Sequence, residues 1–282
     1  MNSQVDEKAF ERFVDWQITQ GTKALVVCGT TGESPTLTES EQDRLIRIAV
    51  TVAAGRVPIL AGTGSNSTAH TIHRTQAAMS QGANAALIVS PYYNKPTQEG
   101  LYQHFKAVHD ATQIPIVLYN IPGRCVVDIL PPLMQRLSQL PRVIGVKDST
   151  NDLTRPFRTT TDCGKDFIQL SGEDGTAASH LAQGGVGCVS VTSNIAPRLC
   201  ADMQAAWVAN DKAAFAAARD RLAPLHQVMF LETSPAPVKY ALSLLGYMSE
   251  EVRLPLVTCT AATKTQIEAA MNEAGLLNAK AA

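Results

Sequence analysis

A chain of 282 residues, 45% of them hydrophobic, is long enough to bury a large core in one or two domains without disulfide staples. Its formal net charge of -1 leaves no electrostatic footprint for nucleic acid or an anionic membrane surface. No apolar run reaches the roughly 20 residues a membrane helix needs, and the opening Met1-Asn2-Ser3-Gln4-Val5-Asp6-Glu7-Lys8 lacks the apolar stretch of a secretion signal.

The first predicted element is a helix over 6–20, with Ala9, Phe10, Phe13, Val14 and Ile18 at helical spacing. An apolar run over 24–28 reads as a buried strand stopped by Gly29. The next helix begins at Thr38, with Glu41 three residues on as a capping box, and carries Leu45, Ile46, Ile48, Ala49 and Val52. Strands are then expected at 57–61, 85–90, 115–119, 143–147, 167–171 and 187–192, separated by helical stretches near 68–81, 97–111, 130–139, 152–161 and 175–183. These strands are continuous apolar runs rather than alternating ones, as parallel strands covered on both faces require.

Beyond about residue 197 only helices are predicted, at 205–218, 238–245 and 261–274. The expected division is a (β/α) barrel over 1–196 and a helical extension over 197–282 packed on it. Seven strands fall one short of a closed (β/α)8 TIM barrel. The pattern therefore fits either a doubly wound open sheet or a barrel lacking its first strand. Cys28, Cys125, Cys163, Cys188, Cys200 and Cys259 are scattered and form no C-x-x-C pair, which suits reduced thiols in a cytoplasmic protein.

In parallel α/β folds, reactive groups gather at the carboxyl ends of the strands. The first strand ends in Gly29-Thr30-Thr31-Gly32-Glu33-Ser34, where hydroxyls and backbone N–H groups suit a carboxylate, although ordinary turn chemistry explains them equally well. Tyr119 ends the fourth strand, either as a proton shuttle or as a core tyrosine. Arg124 follows Pro122-Gly123 in a tight loop, either to grip a carboxylate in bidentate fashion or as a surface arginine.

Lys147 is the odd residue, because it ends Val143-Ile144-Gly145-Val146 where a buried strand calls for another apolar side chain. Desolvation there favours a neutral amine able to attack a carbonyl. The alternative is a lysine just past the strand, paired with Asp148 or Glu173. Gly62-Thr63-Gly64 lacks the rest of a dinucleotide fingerprint, and His70 with His73 lacks a third ligand for a metal. Asp148, Glu173 and Asp174 are possible paired acids whose separation the spacing does not fix.

Taken together, Gly29-Thr30-Thr31-Gly32-Glu33 with Ser34, the run Ser90-Pro91-Tyr92-Tyr93-Asn94-Lys95-Pro96, Tyr119-Asn120-Ile121-Pro122 with Arg124, Gly145-Val146-Lys147-Asp148, Ser171-Gly172-Glu173-Asp174 and Gly187-Cys188-Val189-Ser190 resemble a known family. It is the pyruvate-dependent class I aldolase/lyase family, in its dihydrodipicolinate synthase branch, and the resemblance runs from about residue 5 to the C-terminus.

The resemblance implies a Schiff base between Lys147 and pyruvate, and a proton relay of Tyr119, Thr30 and Tyr93, with Tyr93 reaching in from a neighbouring subunit. It implies that Thr31 holds the pyruvate carboxylate, that Arg124 binds the carboxylate of aspartate 4-semialdehyde, and that backbone groups of Gly172 and Val189 complete the pocket. It further implies a homotetramer built from tight dimers, with neither metal nor organic cofactor. Arg124 favours this branch over relatives acting on sialic acid or sugar acids.

Two departures stand out. The family places a strand before the helix that here occupies 6–20, so a truncated or misassigned start is expected. In lysine-inhibited relatives a carboxylate stands where this chain has His70, and a histidine where it has Glu39 or Gln42, whereas Asn66, Ser34 and Tyr92 match. Weak or no inhibition by lysine is therefore expected. The rival readings are another Schiff-base lyase of the same barrel, a catalytically dead binding barrel and, more remotely, a metal-dependent aldolase.

Overall fold

The computed structural model describes residues 4–277. In chain order the regular elements are α1 (Glu7–Thr19), β1 (Leu25–Val27), α2 (Glu39–Ala53), β2 (Ile59–Gly62), α3 (Thr68–Ser80), β3 (Ala85–Val89), α4 (Gln98–Ala111) and β4 (Ile116–Asn120). They continue with α5 (Pro122–Cys125), α6 (Pro131–Ser138), β5 (Val143–Asp148), α7 (Arg155–Cys163), β6 (Ile168–Ser171), α8 (Ala177–Ala182) and β7 (Gly187–Cys188). Four helices follow, α9 (Pro197–Val208), α10 (Lys212–Val228), α11 (Ala236–Leu244) and α12 (Ala261–Glu273).

The strands form one seven-stranded sheet in the order β1-β2-β3-β4-β5-β6-β7, with β1 and β7 at its edges. The pairings from β2 to β7 are all parallel. A doubly wound sheet reverses its strand order at a switch point. A strictly sequential order has no such point, so the open doubly wound alternative is excluded. Helices cross over between consecutive strands, as parallel pairing requires.

Contacts divide the chain into two compact units. One comprises Val26–Gly29 and Pro58–Val189. Its core lies between the strands and α4 and α6, where Ile88, Leu101, Phe105, Ile116, Leu118 and Leu137 are wholly buried. Each such side chain contributes roughly 1.5–3 kcal/mol on leaving water. Tyr119 belongs to a second cluster, packed with Leu60, Leu87, Val117 and Ile121.

The other unit gathers the described residues up to Leu25, Thr30–Val57 and the described residues from Ser190 onward. Leu222, Leu225, Met229, Ala241, Ile267 and Met271 fill its core. The predicted capping box is present at the start of α2: the Thr38 hydroxyl accepts the Glu41 N–H, and the Glu41 carboxylate accepts the Thr38 N–H at 2.8 Å. Arg253 grips the same carboxylate with bonds of 2.6 and 2.8 Å and holds its pKa down at about 2.

Two predicted elements differ from the structure. The seventh strand was expected over 187–192 but ends at Cys188, because the Ser190 hydroxyl captures the Ser193 N–H at 2.7 Å and the chain turns into a short 3-10 helix. The helix expected over 205–218 is broken at Asn210, which has φ 56°. Asp211 then caps α10 by accepting the Ala214 N–H at 3.0 Å.

Candidate active site

The carboxyl ends of β4 and β5 place the two central residues side by side. In the parallel register Tyr119 is paired with Lys147 and Asn120 with Asp148. Side chains alternate across a strand, so Tyr119 and Lys147 share one face of the sheet while Asn120 and Asp148 share the other. Lys147 is only 9% exposed and Tyr119 6%. The Lys147 ammonium lies 3.9 Å from the centroid of the Tyr119 ring, over its electron-rich face. Asp148, one of the two partners considered for Lys147, pairs with Arg155 on the opposite face of the strand.

Space around the lysine is kept open by Gly172. A Cβ there would sit 1.9 Å from Ser149 Oγ and 2.9 Å from Lys147 Cε, so no larger residue fits without displacing the lysine. The Gly172 N–H donates to the Asp148 carbonyl at 2.7 Å and the Val189 N–H to the Ser171 carbonyl at 2.8 Å. These two backbone N–H groups are thus committed to holding β5, β6 and the start of the 189–194 turn in register.

Burial pushes the Glu173 carboxyl above the ordinary carboxylate range, and the charge of Asp174 adds to this. The charges of Lys147 and Arg124 oppose the shift, which puts both cations within electrostatic reach of Glu173. Arg124 itself is exposed on α5, a single helical turn opened by Pro122 and closed by Val126 at φ 65°. Tyr93 is 88% exposed at φ 74°, with its phenol turned to solvent rather than into its own chain.

Thr30 and Thr31 lie in the second compact unit, half-buried in the turn after β1, where the Glu33 N–H donates to the Thr30 carbonyl at 3.1 Å. The turn is fastened within that unit. Glu33, at φ 55°, receives the Lys239 ammonium at 2.8 Å and the Arg253 N–H at 2.9 Å. Sequence reasoning did not find Lys239 or Arg253, which stand more than two hundred positions from Glu33.

The histidines weighed as metal ligands, His70 and His73, lie on α3 with ring centroids 6.4 Å apart. Among the described residues no cluster of three His, Cys, Asp or Glu is placed to hold a metal ion. None of the six cysteines is joined in a disulfide. No helix among the described residues is long and apolar enough to cross a membrane.

Residues 1–274 match the model of the dihydrodipicolinate synthetase family. A protein of Rhodospirillum centenum named 4-hydroxy-tetrahydrodipicolinate synthase is 59% identical over 276 residues, covering 98% of this chain and 95% of its own length. Among solved structures, the chloride-inhibited dihydrodipicolinate synthase of Acinetobacter baumannii complexed with pyruvate is 42% identical. It superposes with a TM-score of 0.94 and covers 96% of this chain and 94% of its own. The lysine-bound enzyme of Cyanidioschyzon merolae is 35% identical with a TM-score of 0.94, over 97% and 93% of the two chains.

Proposed function

We propose, for a chain that belongs to the dihydrodipicolinate synthetase family, that Lys147 is the amine that condenses with pyruvate. The chain is a lyase, a 4-hydroxy-tetrahydrodipicolinate synthase that joins pyruvate to aspartate 4-semialdehyde on the diaminopimelate route to lysine. The observation that carries the assignment to Lys147 is its position: a lysine buried at the end of β5 with its nitrogen over the ring of Tyr119.

The amine attacks the ketone carbon of pyruvate, and loss of water from the carbinolamine gives the iminium. Loss of a methyl proton gives the enamine, whose terminal carbon attacks the aldehyde. The amino group of the second substrate then closes the ring onto the iminium carbon and releases Lys147. Each step moves a proton, and Tyr119, with Thr30 and the Tyr93 of a neighbouring subunit, forms the relay. Thr31 holds the pyruvate carboxylate, Arg124 the carboxylate of the aldehyde, and the backbone of Gly172 and Val189 closes the pocket.

The extreme exposure of Tyr93 supports its role in a partner's site and, with it, a homotetramer built from tight dimers. Seven parallel strands in sequential order support the reading of a (β/α)8-type barrel. Residues 1–196 are read as the barrel part and 197–282 as its helical extension. The protein is read as cytoplasmic, working without metal or organic cofactor.

Three outcomes test this reading. Pyruvate with borohydride is expected to leave a reduced adduct on Lys147, and coupled turnover with aspartate 4-semialdehyde separates this activity from that of other Schiff-base lyases. An adduct on any other lysine overturns the assignment. Tyr119→Phe is expected to lower kcat by about 10²–10³-fold, as loss of a positioned proton donor does, with little change in KM for pyruvate. An unchanged kcat would remove Tyr119 from the relay.

Lysine is expected to be a weak inhibitor or none. His70, exposed on α3, stands where inhibited relatives carry a carboxylate, and an imidazole offers the ligand's ammonium no negative charge. A titration of turnover with lysine checks this, and inhibition at micromolar lysine overturns it.

A further inference from the structure

We propose that Arg155 is a positioning residue that locks the strand end bearing Lys147 to the loop bearing Arg124, so that the pyruvate and aldehyde halves of the site share one frame. The proposal rests on the reading given above, in which those two residues serve the two substrates.

Arg155 is the first residue of α7 and is only 9% exposed. Its Nη1 donates to Asp128 Oδ1 at 2.8 Å, its Nη2 donates to the Ile129 carbonyl, and its Nε lies 3.7 Å from Asp148 Oδ2. Asn120, wholly buried, bridges the same two carboxylates. Its amide donates to Asp128 Oδ1 at 2.7 Å and to Asp148 Oδ2 at 3.5 Å, while its Oδ1 accepts the Ile129 N–H at 3.0 Å. Asp148 is held from its other oxygen by the Thr150 N–H at 2.9 Å.

The connections run to both halves of the site. Asn120 and Asp148 directly follow Tyr119 and Lys147 on paired strands and project from the opposite face. Asp128 and Ile129 end the segment that leaves β4 and carries Arg124 through α5. A planar guanidinium with five diverging donors can hold one carboxylate, a second carboxylate and a carbonyl at once, which a lysine ammonium on a single flexible stem cannot do. Burying such a charged group beside two carboxylates seldom gains stability over well-packed apolar residues. Its value lies in fixing geometry, and misplacement of about 1 Å can cost about 100-fold in rate.

Three variants read this out on the intact enzyme: Asp128→Asn, Arg155→Lys and Arg155→Met. Asp128→Asn keeps the shape of the side chain but weakens the tie to the loop. It is expected to raise KM for the aldehyde about tenfold, with KM for pyruvate and the borohydride adduct on Lys147 as in the wild type. Arg155→Met is expected to lower kcat/KM for the aldehyde by on the order of 100-fold. Arg155→Lys is expected to recover thermal stability without recovering the aldehyde KM.

If Arg155→Met does not fold, the other two variants decide. Lower melting temperatures with both KM values unchanged would show that the cluster only supports the fold, and would overturn the proposal. A wild-type enzyme that forms no pyruvate adduct on Lys147 overturns the reading beneath it and the proposal together, and that result is distinguishable because it is obtained before any variant is made.

Discussion

Lys147→Met is expected to abolish synthesis while leaving the protein folded and at least as stable as the wild type. Methionine fills nearly the same volume and keeps contact with the Tyr119 ring, now through its sulfur. It also relieves the desolvation of an amine that is 9% exposed. In the proposed reaction, in contrast, the variant lacks the covalent carrier. Without an iminium, the pyruvate methyl group is not acidic enough to form the carbon nucleophile at neutral pH. Turnover is expected to fall by about 10⁴-fold or more, the scale on which removal of a covalent nucleophile acts. Mass spectrometry after pyruvate and borohydride should show no adduct in the variant. Substantial turnover by Lys147→Met, or an undiminished adduct, would mean that another amine carries the reaction.

Lys147 was legible in the sequence because it breaks a local rule. A charged residue ending Val143-Ile144-Gly145-Val146 conflicts with the apolar run of a buried strand, and such conflicts are expected at functional or strained positions. The strands themselves were legible for the same reason in reverse, since 85–90, 115–119 and 143–147 lie close to the observed β3, β4 and β5. The capping box at Thr38 and Glu41 is a local pattern and was read as one.

What was missed depends on contacts between distant positions, or on short polar side chains competing for the backbone. Arg155, Asp128 and Asn120 meet only because β4, β5 and α7 are brought together by the winding of the sheet. Nothing in the spacing of a surface-type arginine and an aspartate 27 positions apart announces it. Asn210 and Asp211 did carry a signal, a residue tolerant of positive φ followed by an N-cap, but the alanine-rich helical pattern on either side masked it.

Gly145→Ala is expected to lower stability and activity together. Gly145 pairs with Ile168 across β5 and β6 and, two positions before Lys147, faces the same side of the sheet. A Cβ there would lie 2.4 Å from the Ile168 carbonyl oxygen and 2.6 Å from the Ile168 Cβ. The first of these partners is backbone, so it cannot swing aside as a long side chain would, and the two strands must part. Overpacking of this kind costs about 1–3 kcal/mol, against a gain of about 0.4–1 kcal/mol from reduced freedom of the unfolded chain. With the contact against backbone putting the cost toward the upper end of its range, the thermal midpoint is expected to fall by up to about 10 °C. Because the displaced strand carries Lys147, kcat should fall as well, and a calorimetric scan run beside initial rates reads both effects. Gly175→Ala is the control: an added Cβ there meets nothing within 4 Å, so both quantities should stay near wild type. If Gly145→Ala behaved like that control, the close approach of β5 and β6 would have no part in holding Lys147 in place.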